Sequence, residues 1–186
     1  MLFDLGLAAE IIGRTKFCIH PADKVTQLPS VGGTKQFRFD LIDQLQPDLI
    51  IGNKEENYRE GIERLATRYP VWMSDITMLA EALEMIRRVG QLVDRAERAT
   101  ALAAAIEAKF TRLPGRQRPL PAGSFIWQKP YMIAGQATLE PFPFAEKQRQ
   151  AFLAEFGCPV YLVDGETFSW YGSRLLLAVD YLRQFI

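Results

Sequence analysis

Between residues 48 and 73 the chain runs Asp48-Leu49-Ile50-Ile51-Gly52, then an amphipathic stretch at 57–69, then Pro70-Val71-Trp72-Met73. The first string is a compact apolar run bounded by turn residues, the pattern of a strand buried on both faces in a parallel sheet. Ile62, Leu65 and Ala66 recur at helical spacing in the middle stretch, and the last string is a second short strand. Strand, helix, strand in that order needs a crossover connection, so the spacing predicts an α/β fold with a parallel sheet.

Upstream, residues 2–13 read as a short helix punctuated by Gly6 and Gly13, and residues 13–21 as a strand leading into a loop. Pro29-Ser30-Val31-Gly32-Gly33-Thr34 is turn chemistry, and residues 39–45 are helical until Pro47 stops them. Downstream, residues 77–113 are the most helical part. Leu79, Leu83, Ile86, Val89 and Leu92-Val93 mark one apolar stripe, Leu102, Ala105, Ile106 and Phe110 a second, with Gly90 and Asp94 between two helices or at one kink. Residues 114–123 read as a Pro/Gly/Arg-rich connection. Strands are expected at 124–127 and 160–163, and helices at 145–156 and 173–185.

Composition narrows the function. The 186 residues are 48% hydrophobic and 24% charged, with 22 basic against 22 acidic side chains. Zero net charge offers no electrostatic reason for nucleic acid or an anionic membrane as partner. No apolar run is long enough to span a bilayer. The opening Met1-Leu2-Phe3-Asp4-Leu5-Gly6-Leu7 lacks a basic n-region, which reads as a mature or a cytosolic chain. Two cysteines without CxxC spacing and a single histidine imply no disulfide framework, and leave few ways to build a zinc site or a Ser-His-Asp triad.

Five strings, in order, then carry a resemblance: Gly13-Arg14-Thr15-Lys16-Phe17-Cys18-Ile19-His20-Pro21, Val31-Gly32-Gly33-Thr34-Lys35, Leu45-Gln46-Pro47-Asp48-Leu49-Ile50-Ile51, Ile126-Trp127-Gln128-Lys129-Pro130-Tyr131-Met132-Ile133-Ala134-Gly135 and Val163-Asp164-Gly165-Glu166-Thr167-Phe168-Ser169-Trp170-Tyr171-Gly172-Ser173-Arg174. The chain resembles the helical-backbone metal receptors, the cobalamin, haem and siderophore binding proteins of ABC importers. That resemblance implies two α/β lobes with parallel sheets, joined by a long backbone helix, and a ligand held between them. Carried over, residues 1–93 would be the N-terminal lobe, 94–113 the backbone helix and 114–186 a reduced C-terminal lobe. Relatives begin with a strand that this sequence does not show. Near Leu139-Glu140-Pro141 they also carry a helix, a connection and a strand, on the order of fifty residues, comparable to a βαβ unit. The second lobe is therefore expected to be truncated.

The resemblance further implies a non-catalytic, periplasmic binding protein with an ABC permease as partner. A corrinoid, haem or ferric siderophore would be its ligand, and no cofactor would be required. The alternatives are a cytosolic metal-chelate-binding protein, an enzyme on the same fold, and a vestigial non-transporting paralogue.

Candidate residues follow. Lys54-Glu55-Glu56-Asn57 stands at the C-terminal end of a strand, where open α/β sheets place ligands, although acids near a helix start are also simply favoured by its dipole. Lys54 and Glu55 are read as ligand-facing. Glu56 and Glu60 are the candidates for the acid by which relatives dock on their permease. Phe168-Ser169-Trp170-Tyr171 offers flat aromatic faces that suit a corrin or porphyrin. Trp170 and Tyr171 lean to the cleft, and Trp127 and Tyr131 to an opposing wall or, for Trp127, to the core. Gly32-Gly33-Thr34-Lys35 lacks phosphate-loop spacing, so Gly33, Thr34 and Lys35 are assigned to the same cleft, with Lys16, Phe17 and His20 opposite the aromatics. Cys18 and His20, two residues apart, would share one side of an extended segment and could ligate a metal axially. Two ligands do not complete a site, and a half-buried Cys beside a surface His is the favoured alternative.

Overall fold

The computed structural model describes residues 1–113, 150, 154, 167 and 171–184. The chain divides into two units, Met1–Ala108 and Lys109–Ile186. The expected strands at 124–127 and 160–163, nearly all of the helix at 145–156, and Trp127, Tyr131, Phe168 and Trp170 lie outside the described residues.

The first unit is α/β, built around a parallel strand pair. Strand β1 (Gly32–Gly33) pairs antiparallel with β2 (Gln36–Phe37) across a two-residue turn, following a single helical turn, α1 (Ala22–Val25). Gly32 sits at φ 103°, where a Cβ would collide with the backbone carbonyl of Gln36, so the turn chemistry expected there is required. Helix α2 (Phe39–Leu45) has the predicted bounds. It ends with Gln46 left-handed at φ 47°, and Pro47 bars continuation.

Strand β3 (Ile50–Asn53) runs to helix α3 (Arg59–Ala66) and back to strand β4 (Val71–Ser74), in parallel register from Ile50↔Val71 to Asn53↔Ser74. This is the crossover expected from the sequence. Burial differs, because every residue of β3 is half-buried. Among the described residues the parallel sheet has two strands, so both are edges.

Residues 2–13 do not form the expected helix. One turn closes with Leu5 donating to Met1 O at 3.0 Å. The Leu7 N–H then bonds Leu2 O at 3.1 Å and the Gly6 N–H bonds Phe3 O at 3.0 Å. That pair of bonds is a Schellman motif with Gly6 at φ 85° as its left-handed residue, and it ends the helix after one turn. Leu5 and Leu7 are buried, and Ile12 is exposed. The expected strand at 13–21 reduces to one parallel bridge, Arg14↔Ser30, with Lys16 N–H donating to Gly32 O at 2.8 Å. A turn then closes from Cys18 N–H to Thr15 O.

Helices α4 (Leu79–Leu92) and α5 (Ala96–Thr111) fill the long helical stretch. Asp94 is the break: it is left-handed at φ 54°, with Arg95 N–H bonding Gly90 O at 2.7 Å and Asp94 N–H bonding Gln91 O at 3.3 Å, a second Schellman motif. Gly90 has a different role from the separator expected of it. It is buried inside α4, and a Cβ built there overlaps that of Ala99, so it admits close approach of α5. The core takes Leu83, Ile86 and Val89 from α4, as expected, but Leu92 is 50% exposed. From α5 it takes Ala99, Ala103 and Ile106; the expected stripe residue Ala105 is exposed, because the buried face is one of small residues against Gly90. At the start of α4, Glu81 accepts from the Thr77 N–H, the Thr77 hydroxyl and the Met78 N–H. These bonds, led by the Thr77 amide, hold its carboxyl below the ordinary range.

Asp43 on α2 accepts from the Tyr69 hydroxyl at 2.8 Å and from Arg68, tying α2 to the end of the α3 segment. In the second unit, helix α6 (Leu175–Leu182) buries Ala178 and Val179. Ser173 does not cap it by a side-chain bond; Arg174 is the capping residue. Lys109 donates to Asp180 at 2.7 Å and to Leu176 O at 3.0 Å.

Candidate functional site

Three segments of the first unit join one to the next toward the C-terminal end of β3: the turn at 15–18, the β1–β2 tip at 33–36, and the turn at 53–57. Each junction is made by particular groups. Lys16 joins the hairpin through its amide bond to Gly32 O, and its stem lies against Gly33, where a Cβ would stand 3.2 Å from Lys16 Cε and 3.5 Å from the Phe17 ring. The Lys16 ammonium is 5.0 Å from the Phe17 ring centroid, a cation–π contact. Gly33 is buried, Thr34 half-buried and Lys35 exposed.

The hairpin tip meets the strand end through two bonds. Lys35 Nζ donates to Glu55 O and Asn57 Nδ2 to Thr34 O, both at 3.4 Å. Asn57 Oδ1 accepts the Asn53 N–H at 2.9 Å, and Asn53 Oδ1 in turn accepts the Glu56 N–H at 2.9 Å. These reciprocal bonds hold the Lys54-Glu55-Glu56 turn in place. Gly52 lies beneath it, where a Cβ would stand 2.7 Å from Met73 Sδ and 2.9 Å from Asn57 Oδ1, so a side chain there would displace both. Lys54 pairs with Asp75 at 2.5 Å, across the ends of the parallel strands.

The structure thus joins Lys16 and Phe17 to the hairpin at Gly33, and Thr34 and Lys35 to the turn that carries Lys54 and Glu55. Glu56 and Glu60 are exposed, Glu56 in the turn and Glu60 in the first turn of α3. Cys18 and His20 are exposed too. Cys18 sits in a turn with Sγ 3.4 Å from Thr15 Oγ1, not on the extended segment that would alternate it with His20. Among the described residues no group of three His, Cys, Asp or Glu side chains is placed to hold a metal. Tyr171 is half-buried in the second unit.

Asn53 and Asn57 were missed as site residues. Their signal was an Asn at each end of the turn that follows a buried strand, a residue type that bonds neighbouring backbone. A separate open groove of about 370 Å³, lined by Phe37, Phe39 and Arg64 among others, involves none of the predicted site residues. No described helix is long and apolar enough to cross a membrane.

The family model described as periplasmic binding protein matches residues 1–135. Among solved structures, the apo periplasmic heme-binding protein RhuT from Roseiflexus sp. RS-1 superposes with a TM-score of 0.55 at 25% identity, over 59% of this chain and 43% of that one. A periplasmic heme-binding protein from Pseudomonas aeruginosa gives 0.55 at 21% identity, over 73% of this chain and 43% of its own. The periplasmic vitamin B12 binding protein BtuF of Vibrio cholerae gives 0.55 at 18%, over 59% and 43%. The last two speak to the fold alone. The chain therefore matches less than half the length of these structures. No curated protein matches it.

Proposed function

The chain belongs to the periplasmic binding protein family, and from that premise we propose that it captures a metal chelate, a corrinoid, haem or ferric siderophore, for an ABC importer. The observation that carries this reading is the linkage of Lys16-Phe17, Gly33-Thr34-Lys35 and Asn53–Glu56 toward the C-terminal edge of the parallel pair. Open α/β sheets bind ligands at that edge. An aromatic face at Phe17 beside flexible ammonium groups suits a large, flat, polar-rimmed ligand. The heme binding named for the Roseiflexus protein falls in the same ligand class.

No step of covalent chemistry is assigned; the protein binds and releases. In the second unit Trp170 and Tyr171 would supply further aromatic surface. Residues 1–93 and 114–186 would serve as the two lobes, with α5 in the part of the backbone helix. Glu56 and Glu60, exposed and outside any ion pair among the described residues, would meet arginines of the permease. His20 and Cys18 would border the ligand, with axial ligation by either as the lesser role. The location is periplasmic, as for the family.

Calorimetric titration with hemin, cyanocobalamin and ferrioxamine B tests the reading. Saturable one-to-one binding of at least one is expected, and a folded protein that binds none would overturn it. Stacking on Phe17 would make Phe17→Ala weaken that binding by about 1–3 kcal/mol, the range for one aromatic face.

A further inference from the structure

The hairpin that carries Thr34 and Lys35 has little hold of its own, since each of its strands is two residues long. Besides its bonds to the Lys16 N–H and to Glu55 O, it is held at the head of α3 by two consecutive residues. Asn57 donates through Nδ2 to Thr34 O at 3.4 Å. Tyr58, the N-cap of α3, lays its ring against Phe37 of β2, with centroids 4.9 Å apart and planes inclined by 37°. Phe37 in turn meets Phe39, at the start of α2, edge-on at 6.1 Å. The Tyr58 ring fits there because of Gly61, buried within α3. A Cβ on Gly61 would stand 2.1 Å from Tyr58 Cζ and 2.5 Å from its hydroxyl. Glycine weakens a helix relative to alanine, and here its missing side chain leaves the space the ring occupies.

We propose that Tyr58 is a positioning residue for the ligand edge: seated by Gly61, it clasps the hairpin through Phe37 and so fixes where Thr34 and Lys35 stand against the turn at 53–57. This rests on the metal-chelate reading above and deepens it. Tyr58, Phe37 and Gly61 are not assigned to the ligand; they act through the hairpin. A ligand resting on both hairpin and turn needs their spacing set beforehand, and a clasp outside the site removes that ordering from the free energy of binding.

The collision at Gly61 separates positioning from ordinary destabilisation. In Gly61→Ala the new methyl meets the far end of a side chain that can swing to another rotamer, so the ring leaves Phe37 while the helix gains propensity. Tm is expected to stay close to the parent's, and amide exchange over residues 33–38 to quicken. Hemin, cyanocobalamin and ferrioxamine B are the probes. Whichever the parent takes should bind Gly61→Ala weaker by roughly three- to tenfold, the scale of one aromatic pair. Tyr58→Ala should match that loss of affinity, and Tyr58→Phe should bind as the parent does, because the ring makes the contact. Adding Gly61→Ala to Tyr58→Ala should cost no further affinity, since the ring it displaces is already gone. Parent-like binding and exchange in Gly61→Ala, a large fall in its Tm, or affinity losses that add in the double variant overturns the clasp and leaves the chelate reading standing. A folded parent that binds none of the three probes overturns the chelate reading, and the positioning role with it.

Discussion

Replacing Gly90 with Ala sets two effects of opposite sign against each other. Gly90 lies inside α4, where Ala is better by about 1 kcal/mol in helix propensity. Against that, the new methyl overlaps the Cβ of Ala99 and crowds the Arg95 carbonyl at 3.1 Å. Both Cβ positions are fixed by backbone, and Ala99 is fully buried, so no rotamer change relieves the overlap and the helices must separate. Overpacking of this kind costs about 1–3 kcal/mol, towards the upper end where nothing can rotate away. The net expectation is a loss of about 1–2 kcal/mol, or about 2–8 °C in Tm for a chain of this size. Ala99→Gly alone should also destabilise, by about 1–2 kcal/mol, through lost propensity and a buried methyl. The double variant should then fall short of the sum by about 1–2 kcal/mol, because the second change removes what the first collides with. Urea unfolding of the four proteins measures this. A Gly90→Ala protein as stable as the parent, or strictly additive changes, would refute the close α4–α5 crossing.

Asn57→Ala removes the acceptor of the part-buried Asn53 N–H and the tie to Thr34, and is expected to cost about 1–3 kcal/mol. Amide exchange at Asn53 should accelerate along with that at Lys35, and a change confined to one segment would mean the turn and the hairpin are not joined through Asn57. Asp43 has its carboxyl held below the usual range, first by the Tyr69 hydroxyl and further by Arg68. A depressed folded-state pKa contributes stability that is complete above the unfolded value and is lost as pH falls through the folded one. The Tm gap between the parent and Asp43→Asn should therefore narrow below about pH 4, the unfolded carboxylate range. The same bond raises the Tyr69 pKa, so that contribution is present below the unfolded tyrosine value and fades as pH rises past about 10. A gap that stays constant from neutral to acid pH would show that Asp43 is not ion-paired in solution.

Local chemistry made α2 and the β3–α3–β4 crossover readable: Pro47 stops a helix wherever it sits, and a short apolar run between turn residues has few alternatives to a strand. Residues 2–13 misled because Leu5, Leu7, Ile11 and Ile12 can be threaded on a helical stripe, while Gly6 closes the turn and Arg98, 93 residues from Leu5, bonds its carbonyl at 3.3 Å. Gly90 read as a break because a glycine inside a helix normally weakens it; only the facing Ala99 shows that the missing side chain is the point. In the site, Lys16, Lys35 and Lys54 were evident as charges near glycine turns. The ion pair of Lys54 was not, since it depends on Asp75, 21 residues further on. Asn57 was hidden for the same reason, bonding a carbonyl 23 residues away.

Hydrogen–deuterium exchange on the full chain, with and without the tightest-binding chelate from the titrations, bears most directly on where the ligand sits. Peptides covering residues 15–18, 33–36 and 53–57 should slow together on ligand addition, in proportion to occupancy, while α2 and its link to Tyr69 stay unchanged. Binding that leaves those three segments exchanging as before would contradict the site at the end of β3.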